Sequence, residues 1–244
     1  MERGTGLKDA LRQRALELGA DFFGVADLSA GRELVREQGG EMLAQFDRAL
    51  SVGVVMPFAI VDQLPRHREK AVAVAYRSHS YDILNIRLDQ IASHLASQLQ
   101  RSGHRAFPVR ASQHVDESRL FGLISHKLAA NLAGLGWIGK SCLLITPEVG
   151  PRVRWATVLT DAPLEAGRPV EERCGQCRQC VDACPVQAFK NRNFRADEPR
   201  EARYEAFKCR DYLHRDDDVL GAEIAICGMC VYSCPYGQKG HPRG

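Results

Sequence analysis

Residues 174–185 read CGQCRQCVDACP, a C-x2-C-x2-C-x3-C-P run. Residues 227–235 read CGMCVYSCP, which repeats its second half as C-x2-C-x3-C-P, and Cys209 stands ahead of them. Eight of the nine cysteines therefore fall in two sets of four near the C-terminus. Thiols at this density are taken up by metal or by one another. The 2-2-3 spacing closed by proline is that of [4Fe–4S] ligands, where three cysteines of a run serve one cubane and the fourth reaches a second. Zinc also takes C-x2-C pairs, usually two pairs for four ligands, and disulfides suit an exported chain. The run of four followed by proline is more specific than either.

Bacterial two-cluster ferredoxins cross their ligands in this way. On that pattern Cys174, Cys177, Cys180 and Cys234 hold one cluster, and Cys209, Cys227, Cys230 and Cys184 hold the other. A short C-x2-C-x2-C loop wraps three corners of a cubane and the chain then leaves in a helix. The fourth thiolate starts that helix and faces the neighbouring cluster. Pro185 and Pro235 fix the backbone just past each fourth ligand. Cluster edges roughly 10 Å apart are expected of such an arrangement.

At 244 residues the chain has room for one large domain or two smaller ones. A net charge of +3 with no Lys/Arg block gives no sign of nucleic acid. No eighteen consecutive apolar residues occur, so no membrane partner is expected. The N-terminal MERGTGLKDALRQRALELGAD reads as an amphipathic helix with acids rather than a signal peptide. With cluster-spaced cysteines, this places the chain in a reducing cytoplasm.

In chain order, Thr5 is expected to cap a helix with Leu7, Leu11, Ala15 and Leu18 on one face and Gly19 at its stop. Asp21–Asp27 reads as a strand and Glu33–Ala49 as a helix. Ser51–Phe58 and Ala71–Tyr76 read as central strands, joined by a mobile polar loop, QLPRHREK. Ser78 or Ser80 caps a helix whose buried stripe is Leu84, Leu88, Ile91, Leu95 and Leu99, ended by Gly103. Arg105–Arg110 is an edge strand, since Pro108 lacks a ladder donor. A helix over Glu117–Ala133, a glycine-rich turn at Gly134–Cys142, and strands Leu143–Thr146 and Arg152–Thr160 follow. Residues 161–173 read as a linker and 191–208 as a polar insertion. Without regular β-α alternation the fold class is α+β, with a cofactor or substrate domain at 1–165 and a ferredoxin-like domain at 166–244.

GLGWIGK is not a Walker loop and does not follow a strand as G-x-G-x-x-G must. Its three glycines allow close backbone approach to a flat or anionic group, with Lys140 adding charge, or a tight turn packed on the sheet with Trp137 in the core. Tyr76, His79 and Tyr81 follow an expected strand end, where ligands often sit. Arg152 and Arg154 are read as solvated or as partners of phosphates or acids. Cys142, the ninth cysteine, reads as a buried free thiol.

From Ala133 to Pro185 the sequence AGLGWIGKSCLLITPEVGPRVRWATVLTDAPL, followed by the cysteine run, resembles the epoxyqueuosine reductases and the corrinoid reductive dehalogenases. CRDY at Cys209, CGMCVYSCP, LGADFFGVADL and AYRSHSYD extend the resemblance over most of the chain. It implies two [4Fe–4S] clusters feeding a cobalamin in an N-terminal domain similar to nitroreductase and cobalamin-processing folds, with Gly134, Gly136, Gly139 and Lys140 lining the cofactor pocket. Those reductases carry an Asp-x-x-Pro-x-x-Glu-Arg pattern whose Asp is the proton donor. Here Leu120 and Leu123 occupy the Asp and Pro positions, and His126 and Lys127 replace Glu-Arg. His126 is the candidate substitute donor, since imidazole titrates near neutrality.

The family's chain also continues well past its last cysteine, so nucleic acid is a doubtful partner on this reading. The expected function is a cytoplasmic iron–sulfur oxidoreductase passing single electrons to a corrinoid, supplied by a redox partner protein. The alternatives are a non-catalytic electron carrier or reductive activator, and a tRNA epoxyqueuosine reductase with a remodelled proton donor.

Overall fold

The structure, a computed structural model, describes residues 2–113, 115–215, 220–221, 224 and 226–238. Its elements, in order, are α1 (Glu2–Glu17), β1 (Phe22–Asp27), α2 (Arg32–Ala44), β2 (Arg48–Val55), α3 (Phe58–Val61), α4 (Lys70–Arg77), α5 (Leu84–Arg101), β3 (Ala106–Val109), α6 (His126–Leu132), β4 (Trp137–Ile138), β5 (Leu144–Ile145), β6 (Val153–Thr160), α7 (Gln179–Asp182), α8 (Ala206–Leu213) and α9 (Met229–Tyr232). Short 3-10 turns and one π-helical segment, Ser78–Ile83, complete them. The contacts divide the chain into two compact units. The first comprises Met1–Val54, Leu84–Gly136 and Arg154–Val170; the second comprises Val55–Ile83, Trp137–Val153 and Glu171–Gly244.

The first unit is built on a four-stranded sheet of order β1-β2-β6-β3, in which β1 pairs antiparallel with β2 and β3 antiparallel with β6. The two middle strands are buried almost end to end rather than alternately, as strands covered on both faces are. The α5 stripe is buried as its spacing predicts: Leu84, Leu88, Ile91, Leu95 and Leu99 are all inside. Gly103 then turns the chain at φ +85°, a conformation that costs other residues a steric clash. Pro108 lies in β3 at the sheet edge, where a missing N–H is harmless. Leu28, Val35, Leu43, Leu128, Leu132 and Leu159 join in the core of this unit.

Four expectations fail here, each for a local reason. Helix α1 begins at Glu2, ahead of the expected Thr5 cap; the Thr5 side chain lies outside the described residues. Helix α2 stops at Ala44, and Arg48–Leu50 pair with Val25–Asp27 in β2 instead of extending it. The helix expected from Glu117 forms only from His126. Asp116 captures the Ser118 hydroxyl and the Arg119 N–H in a side-chain turn, Leu120 takes φ +53°, and Ser125 caps α6 by accepting the Leu128 N–H. Arg154 is only half-exposed and is held by an amide: it forks onto the Asn85 side-chain oxygen at 2.9 and 3.2 Å.

The second unit holds both cysteine runs and a two-stranded β4–β5 ribbon. Ala71–Tyr76, expected as a strand, is the body of α4. In a strand Val74 and Tyr76 would share a face, yet Tyr76 is buried and Val74 exposed, while Ala73 and Tyr76 are buried three apart. Alternate alanines favour the helix. Neither Ser78 nor Ser80 opens α5: both lie in the π-helical segment, Ser78 ends α4 through its backbone N–H, and Ser80 is fully buried. The loop expected to be mobile is anchored by Leu64, which is fully buried, and by His67, which bonds the Leu64 carbonyl and the Tyr212 hydroxyl. No helix among the described residues is long and apolar enough to cross a membrane.

Leu95→Ala should lower stability by about 2–5 kcal/mol in urea denaturation, the cost of a buried leucine cavity. Ile86→Ala, at a residue 60% exposed on the same helix, should change it by less than about 0.5 kcal/mol. Equal losses at the two positions would contradict this packing of α5.

Candidate functional site

Each cysteine run folds the same way. Gly175 and Gly228, the residues after Cys174 and Cys227, take φ +48° and +72°, which bends the C-G-x-C loop back on itself. The Cys177 N–H closes the first loop onto the Cys174 carbonyl at 2.8 Å. Short helices α7 and α9 follow, carrying Cys180 and Cys230, and Cys184 and Cys234 lie just past their ends, both buried.

The thiols gather in two groups. Cys174, Cys177, Cys180 and Cys234 line one cavity of about 40 Å³, together with Gly139, Lys140 and Tyr236. That is well above the ~10–15 Å³ a single water needs. Cys180 is pushed up to about 12 by burial first and then by the neighbouring Cys234, Cys174 and Cys177 sulfurs. Cys227 rises to about 11 by burial, with Cys209 and Cys184 adding to it. Burial likewise raises Cys230, which feels Cys227, Cys209, Cys180 and Cys184, so the two groups adjoin through Cys180 and Cys230. Cys234 and Cys174, sixty residues apart, thus meet in one group, and Cys184 and Cys209 in the other.

Among the described residues no three His, Cys, Asp or Glu side chains converge as ligands of a single ion do. Zinc would hold sulfurs at ~2.3 Å from one point. Four cysteines around one cavity suit the four irons of a cubane. The raised thiols are neutral near pH 7, so loading iron on them must release protons.

Side chains from outside the runs complete the walls. The Trp137 indole Nε1–H donates to Cys174 Sγ at 3.4 Å, and its ring meets Tyr236 edge-on at 4.8 Å. Lys140 is buried and donates to the Gly175 and Cys177 carbonyls at 2.8 and 3.1 Å. A Cβ on Gly139 would lie 3.3 Å from Cys174 Sγ and 2.8 Å from Ile145, so only glycine lets this strand close on the thiols. In the second group burial raises the Cys209 thiol while the Tyr204 hydroxyl lowers it, and Tyr204 stacks on Phe189 at 5.2 Å. The Ala188 N–H donates to Cys184 Sγ at 3.3 Å. Sequence reasoning missed these roles of Trp137, Lys140 and Tyr204. The glycines beside Trp137 and Lys140 signalled a close approach without saying to what, and nothing in the sequence singles out Tyr204.

The residues proposed to line a corrinoid pocket are taken up by the protein itself. Gly134, at φ +79°, abuts the Arg168 carbonyl, which an added Cβ would meet at 2.6 Å. The Gly136 carbonyl accepts from the Asn131 amide at 2.9 Å. Gly139 and Lys140 wall the first thiol group. Arg152, expected to be solvated or near an acid, is fully buried. It pairs with Asp62 at 2.8 Å and lies over the Phe58 ring at 5.2 Å. Cys142 is buried. Tyr76 and Tyr81 pack edge to face at 5.9 Å on helical backbone, and His79 lies in the π-helical segment, not at a strand end.

His126 does not have the geometry of a proton donor. Its Nε2 sits 2.9 Å from the Arg110 carbonyl, which can only accept, so that nitrogen carries the hydrogen; Nδ1 then accepts from the Thr157 hydroxyl at 2.8 Å. Burial, reinforced by the positive charge of Arg154, lowers its pKa to about 4, against support from the Arg110 carbonyl. It is neutral at pH 7 and ties α6 to β6. Asp116 is held below the usual carboxylate range by the Ser118 hydroxyl and is an anion there. Leu120, at the family's acid position, carries no titratable group.

The His126 value sets a sign. Between pH 6.5 and about 4 the unfolded chain binds a proton that the folded one refuses, so stability is full above 6.5 and falls as pH drops through this window. His126→Gln should flatten that part of the stability–pH curve by up to about 3 kcal/mol. An unchanged slope in urea titrations across this range would show the histidine is not buried neutral.

Residues 173–237 match the family described as the 4Fe-4S double cluster binding domain. Over 241 residues the chain is 30% identical to an epoxyqueuosine reductase of Synechococcus sp. (strain CC9605), an alignment covering 96% of this chain and 69% of that protein. Its fold is similar to that of a reductive dehalogenase described as suggesting a mechanism for B12-dependent dehalogenation, at TM-score 0.68 and 20% identity over 97% of this chain and 34% of that one. It is also similar to an epoxyqueuosine reductase solved with an epoxyqueuosine-modified tRNA-Tyr stem loop, at TM-score 0.62 and 22% identity over 97% and 66% of the two chains. The double-cluster domain together with this end-to-end likeness places the chain in the epoxyqueuosine reductase family of iron–sulfur oxidoreductases.

Proposed function

We propose that this chain is a cytoplasmic oxidoreductase that relays single electrons through two [4Fe–4S] clusters to a corrinoid, with a redox partner protein as electron source. The observation that carries the relay is the meeting of Cys234 with Cys174, Cys177 and Cys180, and of Cys184 with Cys209, Cys227 and Cys230. On this reading those quartets hold the clusters, which supply one-electron transfer when bound. The protein's own part is to desolvate the thiols, hold the loops through Lys140, and exclude water with Trp137, Ile145 and Tyr236. The corrinoid rests on fold likeness to the B12-dependent dehalogenase. Gly134, Gly136, Gly139 and Lys140 are engaged within the protein, so no residue is assigned to it and no step is derived through it.

A second reading, a tRNA epoxyqueuosine reductase, is favoured by the 30% identity over 96% of the chain. It needs a proton donor other than Leu120, His126 or Asp116.

Anaerobic reconstitution should give about eight irons per chain. Cys234→Ser should perturb the spectrum of the same cluster as Cys174→Ser, and Cys184→Ser that of the same cluster as Cys209→Ser. If Cys234→Ser instead tracks Cys227→Ser, the ligands are not crossed.

Stoichiometric cobalt binding supports the corrinoid, whereas full iron with no corrinoid affinity points to a carrier that reduces a partner. For the second reading, binding of a tRNA stem loop should weaken steeply with salt, log K falling linearly in log salt. A tRNA affinity too weak to measure at low salt removes it.

A further inference from the structure

Trp137 and Lys140 belong to the glycine-rich stretch, and in the relay their part is structural, as wall and loop support. We propose that they set the reduction potential of the cluster held by Cys174, Cys177, Cys180 and Cys234, with Glu172 as the opposing group. The inference rests on the two-cluster reading and adds to it which residues decide how readily that cluster takes an electron.

The geometry is specific. The Trp137 N–H points at a ligand sulfur, Cys174 Sγ, from a residue only 1% exposed. The Lys140 ammonium, 6% exposed, meets the carbonyls of Gly175 and Cys177, both within the ligand loop, and among the described residues no carboxylate. Its charge is therefore weakly screened and not cancelled locally. Arg152, by contrast, is neutralised by Asp62. Glu172 works the other way: its carboxylate accepts the Cys174 N–H, which sets a negative charge beside this ligand. In the second group the donor described above is neutral, the Ala188 amide at Cys184 Sγ.

Hydrogen bonds to cluster sulfurs and the net charge around them are levers on cluster potential. Reduction adds one electron, taken from an external low-potential one-electron donor; no bond forms or breaks and no proton moves. A buried cation and an N–H aimed at sulfur stabilise that added negative charge, and a carboxylate opposes it. Trp137 and Lys140 thus make the first cluster easier to reduce, and Glu172 makes it harder.

The test uses the full chain, reconstituted anaerobically, with iron and sulfide measured first. Redox titration followed by electron paramagnetic resonance then reads each cluster's midpoint, with Cys174→Ser and Cys209→Ser assigning the signals. Trp137→Phe and Lys140→Met should move the first cluster's midpoint to more negative values and leave the second unmoved at unchanged iron content. Lys140→Arg should restore it, and Glu172→Gln should move the same midpoint the opposite way. Glu172 lies at the rim of the loop, so its variant keeps the sign testable if Trp137→Phe loses iron. Eight irons with unmoved midpoints, equal shifts in both clusters, or Lys140→Met and Glu172→Gln shifting alike would overturn the inference alone. Fewer than eight irons in the unaltered chain would sink the two-cluster reading and this inference with it.

Discussion

Eight thiols gathered half-buried or buried are the constraint on which the second unit depends. A thiolate in such a place is costly, and burial raises the thiols of Cys174, Cys180, Cys209, Cys227, Cys230 and Cys234, which favours the protonated form until a metal arrives to share the charge. The surrounding peptide is organised for that arrival: left-handed glycines bend each C-G-x-C loop, a one-turn helix follows, and the fourth cysteine is delivered to the opposite group. Where Cys184 and Cys234 serve the opposite cluster, as proposed above, neither run completes a site by itself.

The glycine-rich stretch takes its meaning from this arrangement. Three glycines ahead of a lysine suggest an anion or cofactor cradle, yet the close approaches they permit are to protein. Gly134 lets the chain pass the Arg168 carbonyl, and Gly139 lets β4 lie against Cys174. Lys140, itself buried, satisfies two carbonyls of the ligand loop, those of Gly175 and Cys177. A motif read as a binding loop for something external is an internal wall for the metal site.

Much of the first unit was open to pattern reasoning because its signals are local. The α5 stripe, the Gly19 and Gly103 stops and the Pro108 edge follow from helical period and backbone sterics. Ala71–Tyr76 misled because alternating β-branched residues satisfy either period when the buried set is unknown; only packing around Tyr76 and Ala73 chose the helix. The helix before His126 was overextended because an Asp116 side-chain turn competed for the same backbone. His126 itself looked like a titrating group only while its partners, Arg110 and Thr157, were out of sight.

By itself the sequence determined two sets of four cysteines at [4Fe–4S] spacing and an α+β fold class, because ligand spacing and hydrophobic period are properties of consecutive residues. The tertiary structure decided what surrounds those thiols: which indole, ammonium, hydroxyl and carboxylate reach the sulfurs, and which histidine is locked neutral. Those partners come from segments tens of residues apart, and their effect acts through distance and burial. Neither quantity is encoded in the order of neighbours along the chain.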